Sequence, residues 1–129
     1  SRCPATTDSV NSRLHYLRMD GRETYKSAVT AMYRAALKAL DRCKLNISQI
    51  KCIIPHQANL RIISAVGDRL GAKKDQVYIN VDKFGNTSAA SVAIALDQVV
   101  EEGLIERGDL ILMVVFGAGL TWGAAVIEW

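Results

Sequence analysis

The sequence predicts an α/β fold in which helices pack on a mixed β-sheet. Short apolar segments rich in Ile and Val alternate with longer segments whose apolar residues recur every three or four positions. This is the pattern of strands alternating with amphipathic helices. The last two apolar segments are separated only by a glycine-rich reversal, which predicts an antiparallel pair at the end of the chain. The expected order is helix, strand, helix, strand, helix, strand, strand.

Composition limits the classes of function. The 129 residues are enough for one domain, and a net charge of +3 from 16 basic and 13 acidic residues is too mild for a nucleic-acid-binding protein. No apolar run reaches the roughly 18 residues that a membrane span requires. The sequence also lacks a signal-peptide pattern, so we expect a cytoplasmic location. Because the chain starts at Ser1 without methionine, we expect it to be part of a longer protein.

The cysteines do not predict a disulfide framework or a metal site. Cys3, Cys43 and Cys52 are odd in number and form no Cys-x-x-Cys pair. Cys52 lies inside an apolar segment and is most simply a small buried hydrophobic residue.

The first part of the chain divides into a leader and a long helix. Residues 1–18 are polar with little periodicity, which predicts an irregular leader with at most a short strand at residues 15–19. Asp20 and Glu23 have the spacing of a capping box, and a helix is expected from there to about Lys44. Its apolar stripe is predicted to comprise Tyr25, Val29, Met32, Tyr33, Ala36, Leu37 and Leu40.

The remaining elements follow from apolar periodicity and from glycine and proline positions. The predicted strands are Lys51–Ile54, Gln76–Val81, Leu110–Phe116 (covered on both faces) and Leu120–Trp129. The predicted helices are Ala58–Leu70, with Ile62, Ile63, Val66 and Leu70 inward and Gly71 as its stop, and Asn86–Glu102, ending at Gly103.

Polar residues follow two of the predicted strands where each one ends. Pro55 removes a backbone donor, which suits the end of a strand, and His56 comes next. Asn86 follows the turn after the second predicted strand. Because open α/β sheets place their chemistry at the carboxyl ends of strands, both side chains could reach one crevice. The alternative is a structurally satisfied histidine and an asparagine that caps a helix.

Three segments together resemble a known family. Ile53–Asn59, Gly85–Ser91 and Phe116–Gly123 are similar, in that order, to motifs of the C-terminal half of β-ketoacyl-acyl-carrier-protein synthase III. This family comprises decarboxylating condensing enzymes of the thiolase superfamily. The likeness implies a C-terminal thiolase-like catalytic half over residues 19–129. It also implies that His56 and Asn86 complete a Cys-His-Asn triad whose cysteine lies in an N-terminal half outside this chain.

The resemblance implies an activity and its partners. The intact enzyme would condense an acyl-coenzyme A primer with malonyl-acyl-carrier protein in fatty-acid initiation. It would use coenzyme A thioesters as substrates without a cofactor or metal, and would act as a homodimer without binding nucleic acid or a membrane. The isolated chain is expected to be inactive. Two alternatives stay open: a related synthase making a polyketide, a quinolone precursor or an ester, and a non-catalytic half that only binds carrier protein.

The same resemblance assigns further binding residues. Gly21, Tyr25, Ala58 and Asn59 match positions near the coenzyme A arm, and Phe116 matches the floor of the active site. Lys26, Arg61 and Arg69 are predicted to dock the acidic carrier protein. Arg61 and Arg69 are eight positions apart on one predicted helix, so they lie roughly on the same side.

Overall fold

The computed structural model describes residues 3–16 and 18–129. The helices are α1 (Thr7–Asn11), α2 (Gly21–Cys43), α3 (Leu60–Leu70), α4 (Val81–Phe84) and α5 (Ala90–Glu101). The strands are β1 (Cys52–Pro55), β2 (Leu110–Gly117) and β3 (Thr121–Glu128). Two short 3₁₀ turns cover Ile47–Gln49 and Lys74–Gln76.

The strands form one mixed sheet in the order β1-β2-β3. β1 is parallel to β2, with Pro55 opposite Val114, and β2 is antiparallel to β3, with Phe116 opposite Trp122. This confirms the predicted mixed sheet and the antiparallel pair at the end of the chain. The parallel register also fixes where the polypeptide leaves β1, one residue before His56.

Helices cover both faces of this sheet, giving three layers. Ile53, Leu112 and Val114 point to one face and join a buried cluster with residues of α2 and α3. Cys52, Ile54 and Ile111 point to the other face, in a cluster that includes residues of α5. Successive side chains of a strand alternate between faces, which is why Ile53 and Ile54 belong to different clusters.

Within this chain, the predicted third strand, β2, is covered on both faces only over its first part. Ile111, Leu112 and Val114 are fully buried, but Val115 is 39% exposed. The cluster on the face of α5 contains residues of the first half of β2 and not Val115, so the sheet extends beyond the layer formed by that helix.

The ends of α2 only partly follow the prediction. The Asp20 carboxylate accepts from the backbone N–H groups of Arg22 and Glu23, which confirms it as the N-cap. Glu23 does not complete the capping box, because its carboxylate pairs with the Lys26 ammonium group at 2.8 Å instead. The helix ends at Cys43, and Lys44 adopts a left-handed conformation as the C-cap.

The apolar stripe of α2 is narrower than predicted. Its buried residues are Ala28, Val29, Met32, Ala36 and Leu40. Leu37 is 43% exposed, so its predicted inward position is wrong. Leu37 follows Ala36 by one residue and is therefore turned by about 100° from that buried side.

α3 agrees closely with the prediction. Its four predicted inward residues, Ile62, Ile63, Val66 and Leu70, are buried. Asn59 is the N-cap, and Gly71 ends the helix in a left-handed conformation that costs glycine little. The helix begins at Leu60 rather than Ala58 because the Asn59 side chain accepts from Ile62 N–H.

The predicted strand at Gln76–Val81 is wrong. Only Val77 makes a β-bridge, to Ile53, and the chain then turns into α4. The backbone N–H groups of Asn80 and Val81 donate to the Gln57 side chain rather than to a neighbouring strand. A side chain thus takes the bonds that would have continued the ladder.

The predicted start of the last helix is also wrong. α5 begins at Ala90 rather than Asn86, and its N-cap position is Ala89. Its end is close to the prediction, with Gly103 in a left-handed conformation two residues after Glu101.

The leader contains more helix than predicted. α1 is capped by a reciprocal pair of hydrogen bonds between Thr6 and Ser9, and none of its residues is buried. Of the possible strand at residues 15–19, Leu17 lies outside the described residues, and the other four are not in a strand. The assignment of residues 1–18 as a separate leader stays a prediction.

Candidate active site

His56 lies immediately beyond the carboxyl end of β1. Its backbone N–H donates to the Val114 carbonyl at 2.8 Å, which extends the parallel ladder by one bond past Pro55. Its ring is half-buried, and Nδ1 lies 2.6 Å from Oγ of Ser91. The strand end and the start of α5 thus hold the imidazole from two sides.

Burial lowers the pKa of His56 below its ordinary value. Partial removal from water penalises the charged imidazolium more than the neutral ring. At neutral pH His56 is therefore an uncharged group that can donate from one ring nitrogen and accept at the other.

Gln57 locks the loop after His56 and is 1% exposed. Its Nε2 donates to the carbonyls of Pro55 and Tyr78, at 2.8 and 3.2 Å. Its Oε1 accepts from the backbone N–H groups of Asn80 and Val81, at 2.9 and 3.1 Å. All four hydrogen-bonding positions of the amide are satisfied, so Gln57 ties the segment at residues 78–81 to the end of β1.

A second set of polar side chains supports this segment. Asn80 donates through Nδ2 to the Gln98 side-chain oxygen at 3.0 Å, and the Tyr78 hydroxyl donates to the same oxygen at 3.3 Å. Burial and the nearby Glu102 carboxylate raise the pKa of Tyr78 to about 12, so its hydroxyl keeps its proton. The turn that leads towards Asn86 is thereby connected to α5.

Asn86 lies in an exposed turn and is not a helix cap, which corrects one interpretation of the sequence. Its Oδ1 accepts from the backbone N–H of Ser88 at 3.0 Å. Because the side-chain oxygen of Asn86 accepts this hydrogen bond, the exposed side chain keeps its NH₂ group as a donor. Gly85 and Ser88 flank Asn86 with φ values of 68° and 53°. Sparsely populated backbone conformations of this kind cluster at functional sites.

His56 and Asn86 are not joined directly. Within residues 3–16 and 18–129 no hydrogen bond links their side chains. Ser91, five residues after Asn86 in the sequence, contacts His56 Nδ1 and the backbone N–H of Gln57 through its hydroxyl. The start of α5 therefore lies against the His56 loop, and a shared site for His56 and Asn86 stays a prediction.

Sequence reasoning overlooked Gln57 and Ser91 as parts of the site. A usable signal existed for Gln57, because a glutamine two residues after a buried strand is itself easily buried and must then find several partners. For Ser91 there was none, since a serine in the first turn of a helix is common. Thr87 adds one more polar group, and its buried hydroxyl has no hydrogen-bond partner among the described residues.

The residues predicted near coenzyme A lie in two places, the start of α2 and the segment just before α3. Gly21 is the first residue of α2 and is exposed, and Tyr25 is half-buried one turn later. The Ala58 N–H donates to the His56 carbonyl at 2.8 Å. The side-chain oxygen of Asn59 is engaged as the cap of α3, accepting from Ile62 N–H at 3.0 Å.

Phe116 lies near the end of β2 and lines a groove of about 420 Å³ between the sheet and α2. The other residues of this groove are Lys26, Ser27, Thr30, Ala31, Arg34, Leu120 and Trp122. The α2 side of the groove carries Lys26 and Arg34, and the opposite side carries Phe116 and Trp122.

Arg61 and Arg69 both reach from α3 over α2. The Arg61 guanidinium lies 5.7 Å from the centroid of the Tyr25 ring, and that of Arg69 lies 5.8 Å from the Tyr33 ring. Arg69 also donates to the Thr30 hydroxyl at 3.2 Å. Together with Lys26, which pairs with Glu23, they form an exposed basic face on α2 and α3.

The described part of the chain offers neither a reactive thiol at this site nor a cluster of metal ligands. Burial raises the pKa of Cys52 to about 11, so its thiol is a poor nucleophile. No group of three or more His, Cys, Asp or Glu among these residues could hold a metal ion. Within the same residues, none of the helices has both the length and the apolar character of a transmembrane span.

Known structures with this architecture are condensing enzymes. The crystal structure of 3-oxoacyl-[acyl-carrier-protein] synthase III from Aquifex aeolicus superposes on 88% of the chain, and on 37% of its own length, with a TM-score of 0.87 at 46% identity. The priming β-ketosynthase of a polyketide pathway matches 96% of the chain and 39% of its own, with a TM-score of 0.82 at 37% identity. The fold is therefore thiolase-like, as predicted.

Sequence comparison identifies the family. Residues 40–129 match the family described as 3-oxoacyl-[acyl-carrier-protein] synthase III C terminal, and the chain belongs to that family. The β-ketoacyl-[acyl-carrier-protein] synthase III of Caldanaerobacter subterraneus subsp. tengcongensis is 54% identical over all 129 residues. The chain spans 39% of the length of that relative.

Proposed function

We propose that this chain forms the His-Asn part of the active site of a β-ketoacyl-acyl-carrier-protein synthase III. The full-length protein would condense an acyl-coenzyme A primer with malonyl-acyl-carrier protein, releasing CO₂, to begin fatty-acid synthesis. The observation that carries the proposal is the 54% identity over the whole chain to a relative of that name. The neutral His56 at the end of β1 and the outward amide of Asn86 support it.

Decarboxylation defines what the two side chains must do. Loss of CO₂ from a malonyl thioester leaves an enolate with negative charge on the thioester oxygen. Two neutral donors aimed at that oxygen, an N–H of His56 and the NH₂ of Asn86, would stabilise this charge. Removing one donor of an oxyanion hole typically lowers the rate by about 10²–10³.

The acyl group must be carried by a thiol outside this chain. Cys52 is buried with a raised pKa, and Cys3 and Cys43 are exposed on the leader and at the end of α2, outside the His56 loop and the Asn86 turn. We therefore propose that the nucleophilic cysteine belongs to an N-terminal half of the full-length protein. The same half would complete the homodimer and the acyl pocket.

Substrate binding is proposed to use the outer side of α2 and α3. Gly21, Tyr25, Ala58, Asn59 and Phe116 would line the path of the coenzyme A or carrier arm. Lys26, Arg61 and Arg69 would attract the acidic carrier protein. Support comes from the two arginines lying over the same helix, since a shared basic face steers an acidic partner better than scattered charges.

The test is an assay of the full-length protein. Acetyl-coenzyme A and malonyl-acyl-carrier protein are supplied together, and both CO₂ release and the β-ketoacyl product are measured. Release of CO₂ coupled to product, and its loss when His56 is changed to alanine, would support the proposal. A protein that binds malonyl-acyl-carrier protein without releasing CO₂ would instead be the non-catalytic, carrier-binding half.

A second candidate is a related synthase that primes a secondary metabolite. It is favoured by the 37% identity to the priming β-ketosynthase of a polyketide pathway. The two candidates share the decarboxylation step and differ in the primer and the carrier. A preference for a dedicated polyketide carrier protein over the fatty-acid carrier protein in the same assay would favour the second candidate.

A further inference from the structure

Ser91 carries a buried hydroxyl next to the imidazole of His56. It is the second residue of α5, is 1% exposed, and lies where that helix meets the end of β1. Its Oγ is 2.6 Å from His56 Nδ1 and 3.3 Å from the backbone nitrogen of Gln57. These two contacts determine which way its proton points.

The contact with Gln57 can have only one direction. A backbone N–H is always a donor, so the Ser91 oxygen accepts from Gln57. The hydroxyl proton must then be donated elsewhere, because a buried O–H without an acceptor costs free energy. Within the described residues, His56 Nδ1 is the one remaining side-chain or backbone atom hydrogen-bonded to this oxygen.

It follows that Nδ1 accepts a hydrogen bond and carries no proton. In the opposite arrangement Nδ1–H would donate to Oγ, and the serine proton would be left without an acceptor. A neutral imidazole with a bare Nδ1 has its proton on Nε2. Burial of the ring, which disfavours the doubly protonated imidazolium, agrees with this assignment.

We propose that Ser91 is a positioning residue that holds His56 as the neutral tautomer with its proton on Nε2. This proposal rests on the proposed function for its consequence, which is that the Nε2–H bond is the donor offered to the enolate oxygen. Ser91 itself does not contact substrate. It acts by fixing the ring rotation and the proton of His56, as outer hydrogen-bond partners do for other functional histidines.

The first test reads the tautomer directly. The full-length protein is labelled with an isotope of nitrogen in its histidine rings, and His56 is assigned by the signals lost in His56→Gln. NMR then shows which ring nitrogen carries the proton at about pH 8, well above the ordinary pKa of histidine. A proton on Nε2 and a hydrogen-bonded, bare Nδ1 support the proposal. A proton on Nδ1 overturns it, whatever the activity of the protein.

The second test uses variants. Ser91→Ala should lower malonyl decarboxylation about tenfold, the equivalent of one net hydrogen bond, while acyl loading stays within about twofold. Ser91→Thr keeps the hydroxyl and should recover most of the rate. Ser64→Ala makes the same change at an exposed position of α3 and should have no effect. Equal losses in the alanine and threonine variants with an unchanged tautomer, or no loss in either, would overturn the positioning role.

The two proposals can fail separately. If His56→Ala decarboxylates malonyl thioester at the normal rate, the proposed function of His56 is wrong, yet the NMR tautomer can still be as inferred. If His56→Ala is inactive but the wild-type proton lies on Nδ1, the function stands and the role of Ser91 is wrong. The wild-type spectrum remains decisive even if a Ser91 variant does not fold.

Discussion

The loop that carries His56 and the loop that carries Asn86 are held in place by different interactions. Next to His56, the Gln57 amide bonds to backbone groups 21 to 24 residues away, and Ser91 reaches the imidazole from 35 residues away. Asn86 is oriented by the N–H of Ser88, two residues further on. One loop is thus fixed by buried, long-range hydrogen bonds, and the other by local backbone geometry.

This difference affects how each loop should respond to mutation. A buried amide with four partners cannot be replaced without leaving backbone groups unsatisfied. An exposed turn depends instead on which residues can adopt its φ and ψ angles. His56 and Asn86, the two proposed catalytic residues, are therefore predicted to have similar effects on the reaction and different effects on stability.

The largest expected effect separates those two properties. His56→Ala and Asn86→Ala should each lower malonyl decarboxylation by about 10²–10³, because each removes one donor to the enolate. His56→Ala should also lower the free energy of unfolding by about 1–3 kcal/mol, since buried Ser91 loses its acceptor. Asn86→Ala, at an exposed site, should change it by less than about 0.5 kcal/mol.

Decarboxylation assays and urea unfolding of the full-length variants check both expectations. His15→Ala, at an exposed histidine in the leader, is the control and should alter neither quantity. Equal destabilisation by His56→Ala and Asn86→Ala would contradict the proposed contrast between the loops.

The next effect concerns stability alone and compares two glutamines. Gln57→Ala leaves the N–H groups of Asn80 and Val81 without their acceptor and should cost roughly 2–5 kcal/mol. Gln49 also accepts a backbone N–H, from Asn46, but in an exposed turn where water can replace it. Gln49→Ala should therefore cost less than about 1 kcal/mol. Similar unfolding midpoints for the two variants would refute the idea that burial makes Gln57 a lock.

The sequence was most informative where apolar periodicity and chain ends coincide. α3 and its four inward residues, the N-cap at Asp20 and the strands at β1, β2 and β3 were predicted to within a few residues. His56 was located at the end of a strand because Pro55 marks that end. These features depend on local chemistry, which a single sequence contains.

The two main failures have different causes. The alternation at Val77, Ile79 and Val81 is typical of a strand, but the Gln57 side chain, two residues after β1, accepts from the backbone N–H groups of Asn80 and Val81, and the chain turns into a helix there. Asn86 was interpreted as the start of a helix that begins four residues later, but its side chain bonds to the backbone of Ser88 within an exposed turn. A contact between distant segments decided the first case, which local pattern does not encode. A choice between two local structures, a turn and a helix cap, decided the second.

A smaller effect tests the local geometry of the Asn86 turn. Gly85 has φ 68° and ψ −163°, a region open essentially to glycine, so Gly85→Ala should cost roughly 1–3 kcal/mol. It should also displace Asn86 and slow decarboxylation at least tenfold.

Gly71 is the matched control, because it has a similar φ but a left-handed ψ of 25°, at the end of α3. Gly71→Ala should cost about 1 kcal/mol and leave the rate unchanged. A normal rate in Gly85→Ala would show that the turn does not need this conformation.

The smallest effect tests whether the buried network isolates His56 from the basic face. Arg61 lies in the first turn of α3, just after the His56 loop, and its guanidinium stacks on Tyr25. Arg61→Glu places a negative charge near the N-terminus of α3, where the helix dipole favours an acidic side chain, so stability should change little.

For Arg61→Glu we expect the KM for malonyl-acyl-carrier protein to rise up to about tenfold. The difference in KM between the variant and the wild type should shrink with added salt, which screens charges beyond roughly 8 Å. Turnover with malonyl-coenzyme A should be unaffected, because Gln57 and Ser91 hold the loop through buried hydrogen bonds that do not involve Arg61. Arg42→Glu, at the far end of α2, makes the same charge change away from this face and is the control. Equal losses with both malonyl donors would mean that Arg61 supports the active site, and that the His56 loop depends on the surface as well as on its buried hydrogen bonds.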